Sequence, residues 1–235
     1  MTVIEGSVAL VTGGRRGIGK ALVEELLRRG AAKVYATARK PAPTPAGDAR
    51  IEVLPLDVTD GASVAALAAH ARDVDLVFNN AGVLHPSPLL TADLDLVRDT
   101  FETNVIGPLR IAQAFAPVLA ARGGGAVVDL HSLLSWGAGA GAYGASKAAL
   151  WSLTNSLRLE LAAQGTQVVG VHLGFADTEM VAAIPVEKIA AADVARIVLD
   201  GVERGDSEVL VDDATRAIKA ALSGPVEGLA VLGRN

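Results

Sequence analysis

A short apolar segment, a glycine-rich loop and an amphipathic helix follow one another near the start of the chain and constrain its fold most strongly. Residues 7–12 form a nearly continuous apolar run, typical of a parallel strand buried on both faces. The loop runs from Gly13 to Gly19, and the helix after it ends at Gly30. Gly13 permits a tight turn, Gly17 allows backbone to approach a pyrophosphate, and Gly19 lets helix pack on strand. The free amides of the helix start favour a phosphate-bearing ligand.

Strands and helices alternate along the rest of the chain. We predict seven strands, at 7–12, 33–38, 51–56, 75–78, 126–130, 167–173 and 208–211. After the first helix we predict helices at 60–72, 93–122 with a break at Gly107-Pro108, 143–163, within 186–203, and at 215–222. This pattern predicts an α/β fold with a doubly wound parallel sheet of the Rossmann type. We expect one dinucleotide-binding and catalytic domain over residues 1–235, with an atypical helix and a loose tail at 212–235.

Three prolines in residues 41–47 exclude a helix there, because each proline removes a donor and clashes with the preceding turn. We therefore predict that an extended loop forms the second crossover.

Composition excludes several classes of protein. The chain has no cysteine and hence no disulfide scaffold, thiolate metal site or cysteine nucleophile. Its net charge of −5, with scattered basic residues, disfavours nucleic-acid binding. Residues 1–7 lack the basic region of a signal peptide, and the apolar stretch 106–121 is interrupted by Pro108, Arg110 and Pro117. We expect a soluble cytoplasmic protein with no membrane partner.

The end of the second strand bears on the choice of nucleotide. An acid about 20 residues after the glycines normally binds the ribose 2′-hydroxyl of NAD. Here that place holds Arg39 and Lys40, without a carboxylate. Arg39, together with Arg16 of the glycine loop, offers guanidinium groups to a 2′-phosphate. The arginines could also be ordinary surface residues, but we favour NADP(H) over NAD(H).

Tyr143 and Lys147 form the candidate catalytic pair. Tyr143 lies where a glycine-rich loop becomes a helix, and Lys147 follows one turn later on the same face. A free phenol titrates near ~10, and a neighbouring ammonium favours its ionised form. The pair therefore suits proton transfer near neutral pH. The alternative is an exposed helix start with a surface lysine.

Two groups of polar residues lie at further positions of interest. Asn104 falls on an apolar helix face, where it either bends the helix or holds a water near Lys147. Residues 79–82 (Asn-Asn-Ala-Gly) follow a strand and suit either backbone contacts to a ligand or an ordinary turn.

His131 and Ser132 are neighbours on a strand and point to opposite faces, which disfavours a hydrolase pair. The other histidines are dispersed, and no metal site is predicted.

The order and spacing of these motifs resemble the short-chain dehydrogenases/reductases over residues 6–180. The matching segments are 12–19, Asp57-Val58, 79–82, 104–107, Ser132 and 143–147. By this resemblance Tyr143 is the catalytic acid/base, Lys147 lowers its pKa and contacts the nicotinamide ribose, Ser132 orients the substrate oxygen, and Asn104 anchors a proton-relay water. The resemblance also implies cofactor contacts from Gly13, Arg15, Arg16, Gly17, Ile18, Gly19, Arg39, Asp57, Val58, Asn79, Ala81, Gly82, Tyr143, Lys147, Gly174 and Thr178.

The chain departs from the family pattern in four places. The spacing from Ser132 to Tyr143 is short, which leaves Ser135 as an alternative for the serine role. Leu173 replaces a common proline and is expected to loosen the next turn. Residues 180–187 leave room only for an open site or a very small cap. Residues 206–235 lack the usual glycine-rich ending, so we expect a homodimer through helices 108–122 and 143–163, with a tetramer as the alternative.

These observations predict an NADP(H)-dependent carbonyl reductase or alcohol dehydrogenase for small or medium, mostly apolar ketones or secondary alcohols. The hydride chemistry belongs to the cofactor. Two alternatives stay open: a nucleotide-binding regulatory protein without turnover, and a methyltransferase with a glycine-rich loop.

Overall fold

All strands of the sheet run parallel. The computed structural model describes residues 2–40 and 48–231, and the loop predicted at 41–47 lies outside them. The strands are β1 (Val8–Val11), β2 (Lys33–Ala38), β3 (Ile51–Pro55), β4 (Leu76–Asn79), β5 (Gly125–Leu130), β6 (Thr166–His172) and β7 (Glu208–Leu210). Their order across the sheet is β3-β2-β1-β4-β5-β6-β7. From β1, the next two strands are added on one side of the sheet and β4 to β7 are added on the other. This change of direction between β1 and β4 confirms the predicted doubly wound sheet.

Helices cover both faces of this sheet. They are α1 (Gly17–Arg28), α2 (Gly61–His70), α3 (Leu94–Phe101), α4 (Gly107–Ala121), α5 (Gly141–Glu160), α6 (Ala191–Arg204) and α7 (Asp213–Ala221). Aliphatic side chains from α1 and α6 pack on one face of the sheet, and those from α2 and α4 pack on the other. The core is aliphatic on both faces, as the low aromatic content of 3% predicts.

The predicted break at Gly107-Pro108 is wrong. Residues 102–106 form a π-helical segment that joins α3 to α4 without interruption. Pro108 is the second residue of α4, so its missing N–H falls directly after the π-helical segment, where the regular α-helical pattern is already interrupted. The irregularity therefore lies one turn earlier than predicted, around Asn104.

The joined helix Leu94–Ala121 is long and apolar enough, by length and composition alone, to cross a membrane. Its apolar side chains have another explanation. Ile111, Phe115 and Leu119 are fully buried against the sheet. The composition is thus that of a helix packed in a protein core.

The C-terminal region is not a loose tail within the described residues, and that expectation is wrong as far as Val231. After α7, a 3₁₀ turn at Val226–Leu229 leads to a β-bridge between Ala138 and Ala230. The amide of Ala138 donates to the carbonyl of Leu229 at 2.8 Å, and the amide of Val231 donates to the carbonyl of Ala138 at 3.0 Å. The pairing is long-range, so local sequence patterns could not reveal it.

Candidate active site

An apolar cavity of about 670 Å³ opens beyond the carboxyl ends of the strands. Its walls come from the loops after β4, β5 and β6 and from the start of α5. The lining residues are Leu84, Pro86, Ser87, Pro88, Leu89, Ser132, Leu133, Leu134, Gly139, Ala140, Gly141, Tyr143, Gly174, Phe175, Met180, Val181 and Ile184. The two residues predicted to act on a substrate oxygen, Ser132 and Tyr143, thus share one cavity.

The start of α5 places Tyr143 in the cavity wall. Gly141, the first residue of the helix, has a φ of +55°, and a Cβ there would lie 2.7 Å from the carbonyl oxygen of Ser87. A side chain at this position would push the two cavity loops apart. Glycine therefore lets the helix begin against the loop after β4, with Tyr143 half-buried two residues later.

Ser132, rather than Ser135, faces the cavity. The Ser132 hydroxyl accepts a hydrogen bond from the amide of Leu134 at 3.2 Å, and its side chain lies close enough to Tyr143 to lower the pKa of that phenol. Ser135 is buried and does not line the cavity. Its hydroxyl accepts a hydrogen bond from the amide of Ser132 at 3.4 Å, so Ser135 supports the turn that carries Ser132.

Burial is the main influence on the ionisation of Tyr143. It raises the pKa of Tyr143 to about 12, and the side chain of Ser132 offsets this only in part. Loss of hydration is the larger effect here, and the expectation that Lys147 lowers this pKa stays a prediction. Tyr143 is therefore a neutral phenol at pH 7 and is able to donate a proton.

Lys147 lies beneath Tyr143 and is itself buried. Its ammonium donates to the carbonyl oxygen of Leu130 at 2.6 Å and lies 5.7 Å from the centroid of the Tyr143 ring. Burial lowers the pKa of Lys147 to about 8, and the charge of Asp129 opposes this shift. Lys147 is thus close enough to influence Tyr143 without forming a direct hydrogen bond to its hydroxyl.

Asn104 fixes the π-helical segment to the loop after β4. Its side-chain oxygen accepts from the amide of Val83 at 2.9 Å. Its side-chain nitrogen donates to the carbonyl of Val83 at 2.9 Å and to the hydroxyl of Ser146 at 3.1 Å. The buried amide is therefore satisfied by protein groups, as a polar residue on an apolar helix face requires. A water between Asn104 and Lys147 stays a prediction.

Two residues that the sequence analysis did not predict as part of the site, Thr12 and Asn80, hold the glycine loop. The Thr12 hydroxyl accepts from the amides of Asn80 and Ala81, both at 3.0 Å. The Asn80 side chain donates to the carbonyl of Thr12 at 2.9 Å and of Gly13 at 3.3 Å. These contacts tie the end of β1 to the end of β4. Both residues lie inside the family motifs at 12–19 and 79–82, and this position was the sequence signal that could have identified them.

The loop leaves a cradle at the start of α1. A Cβ at Gly19 would lie 2.3 Å from the carbonyl oxygen of Gly13, so only glycine fits. The first turn of α1 has no acidic residue and no side-chain cap, which leaves its amides without side-chain acceptors. Gly17 lies beside Thr178, since a Cβ there would be 3.1 Å from the Thr178 methyl group. This donor set fits the phosphates of a dinucleotide.

The remaining predicted cofactor residues surround this cradle or support it. Arg16 and Arg39 are exposed, and Arg16 pairs with Glu179 at 3.4 Å. Hydrogen bonds from Thr59 and then the charge of Arg39 lower the pKa of Asp57, which places Arg39 near the end of β3. Arg15 and Ile18 are half-buried in the loop and the first turn of α1, and Ala81 and Gly82 follow β4.

Asn79 and Val58 turn their side chains toward the protein. The Asn79 side chain donates to Asp129 at 2.9 Å, and Asn79 is only 3% exposed. Val58 is buried, and a Cβ at Gly107 would lie 2.9 Å from its side chain. Any contact of these two residues with a nucleotide would therefore involve their backbone.

A short cap covers one side of the cavity. Residues 175–189 form a closed loop. The backbone amide of Asp177 donates to the carbonyl of Ile189 at 2.8 Å, and the backbone amide of Ile189 donates to the carbonyl of Phe175 at 2.9 Å. Of the two alternatives, the structure has the very small cap. The turn after Leu173 is held by Asp212, whose carboxylate accepts from the amide of Gly174 at 2.7 Å.

Comparison with known proteins agrees with this site. The family model for short chain dehydrogenases matches residues 7–188. The 3-oxoacyl-[acyl-carrier-protein] reductase FabG of Salmonella typhimurium is 33% identical over 189 residues, which cover 77% of this chain and 78% of that protein. The 1-deoxy-11-beta-hydroxypentalenate dehydrogenase of Streptomyces exfoliatus is 36% identical over 81% of this chain and 74% of its own length.

A solved structure is similar along nearly the whole chain. It is a short chain dehydrogenase from Burkholderia cenocepacia in complex with NADP, with 38% sequence identity and a TM-score of 0.92. The match covers 97% of each chain.

The raised pKa of Tyr143 is open to direct measurement. The chain has two tyrosines, so Tyr143 is the sole phenol in a Tyr35→Phe variant. We expect this phenol to stay largely un-ionised at about pH 11, where an ordinary phenol is mostly phenolate. Ultraviolet difference spectroscopy reports the phenolate, and Tyr143→Phe in the same background gives the baseline. A phenolate formed at about pH 10 or below would mean that Lys147 outweighs burial after all.

Proposed function

The chain belongs to the short-chain dehydrogenase family, and on that premise we propose that it is an NADP(H)-dependent oxidoreductase. The proposed reaction interconverts small or medium, mostly apolar ketones and secondary alcohols, as a carbonyl reductase or alcohol dehydrogenase. The proposed catalytic residues are Asn104, Ser132, Tyr143 and Lys147, within one dinucleotide-binding and catalytic domain.

One observation carries this proposal: the neighbouring side chains of Ser132 and Tyr143 line the same, largely apolar cavity. None of the described residues that line the cavity is charged. A carboxylate or phosphate on the bound part of a substrate would lose its hydration there without gaining a counter-charge, which costs several kcal/mol (~2 or more). This favours uncharged carbonyl compounds.

The protein groups supply proton transfer and positioning. When bound, the nicotinamide cofactor supplies or accepts the hydride. Ser132 donates a hydrogen bond toward the substrate oxygen, and its stabilisation grows as negative charge develops there. Tyr143, neutral at pH 7, delivers its proton to the same oxygen. A phenol that is protonated at pH 7 suits the reduction of a carbonyl group, whereas oxidation of an alcohol would need its ionised form.

NADP(H) is proposed over NAD(H) on charge grounds. Arg16 and Arg39 are exposed cations close to the cradle, and β2 ends without a carboxylate that would repel a 2′-phosphate. The Burkholderia cenocepacia relative binds NADP, which supports the same choice.

We also propose a cytoplasmic homodimer with a small-molecule substrate as its other partner. Contact through helices 108–122 and 143–163 would cover exposed apolar side chains such as Leu159, which is 80% exposed. The atypical residues 206–235 argue against the tetramer of related enzymes.

The proposed activity is tested by the consumption of NADPH with a panel of uncharged ketones. Tyr143→Phe removes the acid and keeps the ring, so we expect kcat to fall by roughly 10²–10⁴-fold while the affinity for NADPH is nearly unchanged. The affinity is measured by fluorescence titration. Tight NADPH binding without turnover of any ketone by the unaltered protein would favour the regulatory alternative, and an active Tyr143→Phe variant would refute the acid/base assignment.

The two serines provide a matched pair of variants. Ser132→Ala removes the hydroxyl in the cavity wall, and we expect a loss of roughly 10²–10³-fold in kcat, as for other groups that stabilise a developing oxyanion. Ser135→Ala removes a hydroxyl that bonds only to the supporting turn, and kcat should change little. Steady-state kinetics with one ketone compare the two. The reverse order of effects would transfer the role to Ser135.

The cofactor choice is tested at Arg39. Arg39→Asp replaces a donor to the 2′-phosphate with a repelling charge, so NADPH affinity should fall by roughly 10–100-fold, with preference moving toward NADH. The ratio of kcat/KM for the two cofactors is the readout. Arg72→Asp, at an exposed arginine after α2, controls for the change in net charge. An unchanged ratio in Arg39→Asp would remove Arg39 from the phosphate site.

A further inference from the structure

A carboxylate lies in the core directly behind the proposed catalytic residues. Asp129 occupies β5 and is 1% exposed. One of its oxygens accepts from the side-chain nitrogen of Asn79 at 2.9 Å, and the other accepts from the hydroxyl of Thr154 at 2.7 Å. A buried acid in the middle of an aliphatic strand is costly to the fold, so its presence calls for a role.

Asp129 and Lys147 point into the same layer between β5 and α5. Lys147 donates to the backbone oxygen of Leu130, the residue next to Asp129. Thr154, which donates to Asp129, follows Lys147 by two helical turns on the same face of α5. The acid and the ammonium therefore share one buried region, and the Asp129 charge acts on Lys147.

The other titratable groups around Lys147 do not balance its charge. Tyr143, on the same helix, is neutral. Burial lowers the pKa of His131, which directly follows β5, and of His172 on β6, so both rings are neutral at pH 7. Arg158, farther along α5, is a cation. Of the described groups that act on Lys147, Asp129 is the one with a negative charge.

We propose that Asp129 is the buried counter-charge that keeps Lys147 in its ammonium form, and that it thereby sets the upper pH limit of the site. Asp129 is a positioning residue, because it acts through Lys147 and does not line the cavity. The consequence for catalysis depends on the proposed function, whereas the effect on Lys147 does not.

Burial raises the pKa of Asp129, and the hydrogen bonds from Asn79 and Thr154 oppose this shift, because they favour the ionised form. The Thr154 hydroxyl has one hydrogen, which it gives to Asp129 when that group is a carboxylate. The Thr154 hydroxyl oxygen then accepts a hydrogen bond from Nε2 of His131, at 3.1 Å. Nδ1 of His131 has no hydrogen-bond partner among the described residues, as expected of the bare nitrogen in that neutral tautomer.

The replacement Asp129→Asn removes the charge and preserves these contacts. The new amide oxygen accepts from Asn79, and the new nitrogen donates to Thr154, which turns its hydrogen to the carbonyl of Leu150 at 2.9 Å. Asp75→Asn is the matched control. Asp75 accepts from the amide of Val8 and pairs with Arg122 at the opposite end of the sheet, far from Lys147.

The experiment is an NMR titration of protein with ¹³C-labelled lysine, in which Lys147 is the signal missing from Lys147→Met. We expect a midpoint of about 8 in the unaltered protein and in Asp75→Asn. In Asp129→Asn the midpoint should fall by about one unit or more, the usual effect of losing an opposite charge nearby. An equal midpoint in Asp129→Asn and the unaltered protein would overturn the proposal. So would a ¹³C carboxyl signal showing Asp129 protonated at pH 7, a measurement that needs no variant.

Reduction kinetics then connect the charge to activity. If Lys147 acts as an ammonium, the alkaline fall in kcat/KM moves to lower pH in Asp129→Asn, and the rate at about pH 8 drops about fivefold for a one-unit shift. The acid plateau should remain. A protein with no ketone reduction at all would refute the proposed function while leaving the NMR result intact, so the two failures are distinguishable.

Discussion

Parallel pairing of β1, β4, β5 and β6 is the constraint on which the site depends. It brings the carboxyl ends of all these strands to one edge, where each strand passes into a loop that carries functional groups. The pairing is reinforced there by side chains, since Thr12 and Asn80 join the ends of β1 and β4. Asn79 and Asp129, which face each other on β4 and β5, add a buried hydrogen bond that joins these two strands. The sheet itself therefore holds the glycine cradle at a fixed separation from the cavity wall that contains Ser132 and Tyr143.

Burial and charge compete at this edge, and burial shifts the pKa values of the two proposed catalytic residues in opposite directions. Loss of hydration favours the neutral form of each group, so the pKa of the Tyr143 phenol rises while that of the Lys147 ammonium falls. The protein offsets this with groups from β5 and the loop after it: the Ser132 hydroxyl for Tyr143, and the Leu130 carbonyl and the Asp129 carboxylate for Lys147. One strand and its following loop thus affect both groups of the neighbouring helix.

Much of this architecture could be predicted from the sequence because it depends on local patterns. The apolar runs of the strands, the glycine loop and the helix start at Tyr143 each express a short-range preference of the chain. The polar residue Asn104 indicated a bend in its helix, but the π-helical form of that bend could not be predicted, since it is stabilised by Val83, which lies in a distant loop. The extent of burial of Tyr143 could not be predicted for a related reason. Spacing places a lysine near the phenol, but only the packed structure determines how much water both groups lose. Asp129 was overlooked because it interrupts an otherwise ordinary buried strand, and that interruption was itself the signal.

The C-terminal region closes the structure around the cavity from two sides. Asp212 holds the amide of Gly174, and residues 229–231 pair with Ala138 in the loop before Tyr143. Both braced loops precede this region in the chain by tens of residues. During synthesis on the ribosome, the sheet and the glycine cradle can therefore assemble while the cavity walls still lack their outer supports. Binding of the nucleotide and competence for turnover would then arise at different moments in the life of a newly made molecule.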